Sequence, residues 1–204
     1  MGRQLVGCAV GLGMLAVAQS AWPQSANSAE MVQLRVLMVN RAGARPEVVR
    51  AAERDTAAIY AAAGIQTIWV DPAPGGTPNE HVNLTVVLRP ESAGVASTKI
   101  TDASLGYAVT EPDARGQRGR LVWVFFGRVE KHAERNHIQI RRLCGLVMAH
   151  EIGHLVLPAG HTESGLMRAT WALRSSLLQF FSSEQKDDIH ARLAFTRGDL
   201  GGRN

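Results

Sequence analysis

The spacing of apolar and polar positions changes along the chain, and each change marks an element. "MVQLRVLMVN" (31–40) alternates in part and reads as a strand. "PEVVRAAERDTAAIYAAAG" (46–64) reads as a helix, with Pro46 near its start, alanines through its length and Gly64 as its C-terminal stop. "IQTIWV" (65–70) and "HVNLTVVLR" (81–89) read as strands, separated by a Pro- and Gly-dense loop, 71–80. Residues 90–104 have no clear period and read as a surface loop. "LGYAVT" (105–110) is a short strand, 111–119 a polar turn, and "RLVWVFFGRV" (120–129) a strongly β-prone run. A long helix is predicted from about Asn136, where Asn136 and Gln139 stand at capping-box spacing. It should end near Leu157, because Pro158 disfavours α conformation in the residue before it. A final helix is predicted from about Ser182, with Ser182 and Gln185 as a second capping box, Ile189 and Leu193 as an apolar stripe, and Gly198 at its end.

This order predicts an α+β domain with a mixed sheet. No internal repeat and no linker divides it, so residues 31–198 read as one domain. With 204 residues, 46% of them apolar, the chain is long enough for a sizeable core. The formal charge of +4 is modest and its basic residues are scattered, Arg141-Arg142 being the nearest to a patch. That is a solvated surface rather than a nucleic-acid footprint.

The N-terminus has a different character. Arg3 precedes an uncharged apolar run of 14 residues, Leu5 to Ala18, and small residues follow at Ala18 and Ser20. The run is short of the ~20 residues a membrane-spanning helix needs. It reads as a secretory signal peptide over residues 1–20, with a second possible cleavage point after Ala26. "LVGC" (5–8) resembles a lipobox, but the four residues before it leave no apolar segment for export. The expected location is secreted or periplasmic. Loss of residues 1–20 removes Arg3 and no acid, so +4 − 1 gives +3 for the mature chain. Cys8 leaves as well, so Cys144 remains without a disulfide partner. Cys144, among Leu143, Leu146 and Val147, reads as a small buried hydrophobe rather than a nucleophile or ligand.

The densest chemistry is "HEIGHLVLPAGHTESGLM" (150–167). On a helix, residues i and i+4 share a face, so His150 and His154 can aim both imidazoles at one cation. Zinc takes imidazole nitrogen at ~2.0–2.1 Å, and a catalytic zinc uses three protein ligands and leaves a fourth position to water. Glu151 lies ~100° around the helix, off the metal but close to that water. It can act as general base on a water whose pKa zinc lowers to ~7. Leu146, Val147, Ile152, Leu155 and Val156 supply the apolar flanks that would hold the ligands still. The third ligand comes from beyond Pro158, where Gly160 permits a turn with φ > 0. His161 follows at once, and Glu163 competes with it.

Because of His150, Glu151, His154, His161 and the Ser164-Gly165-Leu166-Met167 stretch, the segment resembles the zincin metallopeptidases, and most closely the metzincins. The resemblance implies ligand, base, ligand and ligand roles for the first four, and a Met-turn at Met167, a residue otherwise readable as core. Two departures stand out. Six residues rather than five separate His154 from His161, and Leu157 occupies the position of the family's glycine. The resemblance further implies a mainly parallel twisted sheet. Its fourth strand would be antiparallel and edge the cleft, so Leu105, Gly106, Tyr107 and Ala108 become candidate substrate-binding residues by strand addition. Tyr107 reads as cleft wall or sheet residue, and Trp171 as cleft wall or core. His81, His132, His137 and His190 lack metal-type spacing to the motif and read as surface or strand-end residues. A cysteine-gated propeptide is not expected, since no cysteine lies between the signal and the first strand.

The expected function is an exported zinc metalloendopeptidase that cleaves peptide or protein substrates with a zinc-activated water and Glu151 as base. The mature chain should have no membrane span and no nucleic-acid partner. Two other readings fit the same residues: a zincin-like zinc-binding protein without proteolysis, and a zinc hydrolase of a non-peptide amide.

Overall fold

The computed structural model describes residues 32–72, 82–90, 100–101, 103–109, 120–157, 160–171 and 179–200. The signal segment with both cleavage points, most of the 71–80 loop, His81, the 111–119 turn, Pro158 and the side chain of Leu193 lie outside them. Five strands form one sheet in the order β2-β1-β3-β5-β4: β1 Val32–Asn40, β2 Ile65–Val70, β3 Leu84–Arg89, β4 Gly106–Val109 and β5 Leu121–Phe125. β1 pairs in parallel with β2 (Val36↔Trp69) and with β3 (Val36↔Leu84), and β3 with β5 (Val86↔Val122). β4 alone is antiparallel, Ala108 opposite Val122, and it closes the sheet as an edge. The mainly parallel α+β sheet with an antiparallel fourth strand is therefore present.

Alternation along β1 buries Leu34, Val36 and Met38. Leu84, Val86 and Leu88 of β3 and Val122 and Val124 of β5 join the same core. α1, Pro46–Ala61, and α3, Ile140–Val156, pack against each other over this core. They cross closely at Gly145, where a Cβ would stand 2.9 Å from the Ala52 carbonyl. Two buried hydroxyls bond across the crossing: Thr56 Oγ1 donates to the Gly145 carbonyl (3.0 Å) and Tyr60 OH to the Ala149 carbonyl (3.1 Å). α1 ends before Gly64, whose φ of +75° turns the chain into β2. α3 is buried at every residue from Leu143 to Gly153, which explains its near-absence of an amphipathic pattern.

The region 120–140 corrects the sequence reading. The β-prone run stops at Phe125, and α2, Phe126–Arg135, follows directly. Asn136 is not the N-cap of the long helix. It is the C-cap of α2, and its side chain donates to the His132 carbonyl (2.8 Å). His137 takes φ +54°, its N–H bonds the Glu134 carbonyl, and the Ile138 N–H bonds the Ala133 carbonyl. This is a Schellman ending with histidine at the left-handed position usually held by glycine. α3 then starts at Ile140 with Gln139 as N-cap and no side-chain cap bond.

α4, Ser183–Leu200, keeps its predicted start. The Ser182 N–H bonds Gln185 Oε1 (2.9 Å) and the Gln185 N–H bonds Ser182 Oγ (3.3 Å), a reciprocal capping box. Its backbone continues helically through Gly198 instead of stopping there. Glycine at one position weakens a helix by only about 1 kcal/mol and does not by itself end it.

Candidate metal centre

α3 carries His150 and His154 one turn apart at its C-terminal end. Leu157 is extended (φ −111°, ψ 165°), as a residue before proline prefers. Gly160 takes φ +115°, and His161 returns toward the helix, as the sequence predicts. The ligand nitrogens of His150, His154 and His161 lie within 4.8 Å of one another, and among the described residues they form the one such group. Nε2 of His150 and Nε2 of His154 are 3.1 Å apart, close to the roughly 3.3 Å edge of a tetrahedron with ~2.0 Å metal–nitrogen bonds. Glu163 is exposed and does not join the cluster.

A backbone carbonyl orients the first ligand. Nδ1 of His150 is 2.9 Å from the Leu166 carbonyl oxygen. With Nδ1–H donated there, Nε2 keeps its lone pair for a cation. Trp171 Nε1 donates to the same carbonyl at 2.9 Å, and its ring meets the His150 ring edge-on. Trp171 thus belongs to both the core edge and the cleft wall, the two sites the sequence left open. Burial lowers the pKa of His150 to about 4, helped by the nearby His161 and opposed by the Leu166 bond. Burial, with His150 and His161 beside it, lowers His154 to about 4 as well. Both imidazoles are therefore neutral at pH 7, the form that binds metal.

Met167 lies directly beneath this helix. It is 1% exposed, and its Sδ fills the space a Cβ would occupy on Gly153, between the two helical ligands. Gly165 at φ +72° makes the turn. The Thr162 N–H to Met167 carbonyl bond and the Leu166 N–H to Phe180 carbonyl bond, both 2.9 Å, close it and tie it to the approach to α4. Gln185 adds a clamp, its Nε2 donating to Thr162 Oγ1 (2.9 Å) next to His161. The sequence shows Gln185 only as a cap; its second bond depends on a contact 23 residues away.

Glu151 points the other way around α3, toward β4. It is 8% exposed, and burial raises its pKa to about 8 although the Ala108 N–H donates to it. A cation beside it would favour the carboxylate and pull that value down. Gly106 gives it room, since a Cβ there would lie 2.6 Å from Glu151 Cγ. The glycine in "LGYAV" is thus a fit to Glu151, a role its spacing does not announce.

These residues line a cleft of about 660 Å³. Leu105, Gly106, Tyr107 and Ala108 form one wall; Gly160, His161 and Arg168 to Trp171 form the other. Leu105 precedes the strand, which begins at Gly106. His132 corrects the surface reading, because α2 carries it half-buried into the same cleft. His190 is also structural rather than free, its Nε2 meeting the Ala63 carbonyl and tying α4 to the end of α1. His137 is spent on the Schellman turn. No family model matches the chain, and no curated protein matches it.

The three imidazoles could hold a metal ion: three nitrogen donors, one oriented by a backbone carbonyl, with no thiolate among them.

Proposed function

We propose that this chain is an exported zinc metallopeptidase with a zincin, metzincin-like fold. One observation carries the reading. Three imidazoles converge at the end of a buried helix, and a buried carboxylic acid on the next residue after the first of them faces the same cleft.

His150, His154 and His161 would hold the zinc, with Met167 as the packed floor beneath two of them. When bound, zinc supplies Lewis acidity, bringing the ionisation of water near neutral pH. Glu151 accepts a proton from the attacking water at a carboxylate oxygen. As the peptide C–N bond breaks, Glu151 passes that proton to the departing amine nitrogen. The Ala108 N–H fixes its carboxyl, and Gly106 leaves space for it to lie against β4. An extended substrate can lie along the Gly106–Val109 edge, adding a strand to the sheet. The segment from Arg3 to Ser20 supports export. No helix of the described residues is long and apolar enough to cross a membrane.

Glu151→Gln should keep one zinc per chain by metal analysis and lose peptide hydrolysis by about 100-fold or more. Retained turnover in that variant would remove Glu151 from the mechanism. His161→Ala should lose the zinc while Glu163→Ala retains it, and the reverse pattern would exchange their roles.

A further inference from the structure

Past the Met-turn, the cleft wall carries a cation that nothing in the proposed mechanism uses. Arg168 lines the cleft, and its side chain makes no ion pair and no hydrogen bond among the described residues. Its backbone is fixed: Arg168 N–H reaches the Gly165 carbonyl (3.5 Å), and the turn before it is closed by the Thr162–Met167 and Leu166–Phe180 bonds. Three residues on, the Trp171 indole donates to the Leu166 carbonyl, so the wall is tied to the turn on both sides of Arg168.

The other charges of the cleft do not balance it. Glu151 is the one acid among the described lining residues, and it is buried and bonded to Ala108 on the opposite wall. The remaining ionisable groups are Tyr107 and four histidines, three of which are gathered where they could hold a cation. A cleft of this sign attracts anionic ligands, and a guanidinium offers paired N–H donors that match a carboxylate.

We infer that Arg168 is a specificity residue that binds a substrate carboxylate near the scissile bond, so that the preferred substrates are acidic peptides. The inference rests on the peptidase reading for the kind of ligand the cleft takes. Arg168 lies next to Met167, and Met167 packs beneath the helix that carries two of the metal-binding imidazoles. Arg168 and the three imidazoles line the same cleft, so a carboxylate held by Arg168 shares that cleft with the reacting centre. It can be an aspartate or glutamate side chain or the C-terminal carboxylate of a short peptide, because both present the same two oxygens.

The test is binding without turnover. The full chain carrying Glu151→Gln, loaded with zinc, is titrated against fluorescently labelled hexapeptides that differ only as Glu or Gln at one position, each with a free or amidated C-terminus. Anisotropy should show about tenfold tighter binding of the Glu peptides, as expected for a partly solvated charge-assisted pair. Adding Arg168→Gln should erase the difference, Arg168→Lys should keep part of it, and Arg168→Glu should reverse it toward the Gln peptides, with zinc content and circular dichroism unchanged. A gain that follows the free C-terminus instead of the side chain, and is lost on amidation, assigns the terminal carboxylate. Absent binding, equal binding of all four peptides, or an acid preference that survives Arg168→Gln overturns the inference. Digestion of the same peptides by the chain with Glu151 intact separates the two ideas. Acid-selective binding with no cleavage of any peptide ends the peptidase reading and keeps Arg168 as a carboxylate site. Cleavage without acid preference does the reverse.

Discussion

At the scale of single residues, space around Glu151 is as specific as its charge. Gly106 has no side chain, and Glu151 Cγ occupies the volume a Cβ would need, at 2.6 Å. Gly106→Ala must push either the carboxyl or the strand. Glu151 is held by the Ala108 N–H of that same strand, so any shift changes the position of the proposed base. The three imidazoles lie on α3 and the 160–161 turn and do not depend on β4. Gly106→Ala is therefore expected to keep zinc stoichiometry while kcat falls on the order of 100-fold, the usual consequence of an ångström-scale misplacement. Loss of zinc together with activity would show that the substitution disturbs α3 itself. The directions of His150, Glu151 and His154 were legible in the sequence because helix periodicity fixes them, and the return of His161 because Gly160 supplies the turn before it. The fit of Gly106 was not, because it joins residues 45 positions apart through the fold.

At the scale of elements, the strands and both capping boxes test what local pattern can tell. Four of the five strands, and the start of the fifth, fell where composition placed them, since a half-buried pleat asks for β-branched and aromatic side chains. The Ser182–Gln185 box formed, and the Asn136–Gln139 spacing did not. The difference lies in what precedes each site. α2 occupies residues immediately upstream of Asn136 and claims it for its own C-cap. α2 escaped detection because its first residue, Phe126, continues the β-prone run, and because its stop is a histidine rather than glycine or proline. That histidine permits a direct test. A side chain in the left-handed region costs about 1 kcal/mol, and Gly at the same position removes the cost. His137 is exposed, so no packing is lost on replacement. His137→Gly should stabilise the chain by up to about 1 kcal/mol in urea denaturation, whereas His137→Val should destabilise it. An effect of the opposite sign for glycine would mean that the His137 side chain makes a contact worth more than its backbone strain.

At the scale of the whole molecule, the dryness of the core under the metal helix sets how stability responds to pH. Cys144 is fully buried on α3, six residues before His150, and burial raises its thiol from 9.0 to about 12. Tyr60, which bridges α1 to α3, is raised well above 10 for the same reason. In the unfolded chain both groups lose their protons near their ordinary values; in the folded chain both keep them. Above pH 9 the unfolded state therefore holds fewer protons, and stability falls as pH rises. For the thiol, raised by burial to about 12, the loss is on the order of 3 kcal/mol by pH 11. Glu151, raised only to about 8, is already ionised in both states across that window, so in a metal-free preparation it does not contaminate the measurement. Cys144→Ala removes the titrating thiol and leaves a small cavity, a cost of about 1 kcal/mol at neutral pH. Wild type should accordingly be the more stable of the two at pH 7 and the less stable at pH 11, with urea unfolding curves for the pair crossing between them. Curves that stay parallel would mean that the thiol ionises in the folded chain. Water would then reach the interior face of α3, and the rigid support that holds His150 and His154 3.1 Å apart would be lost with it.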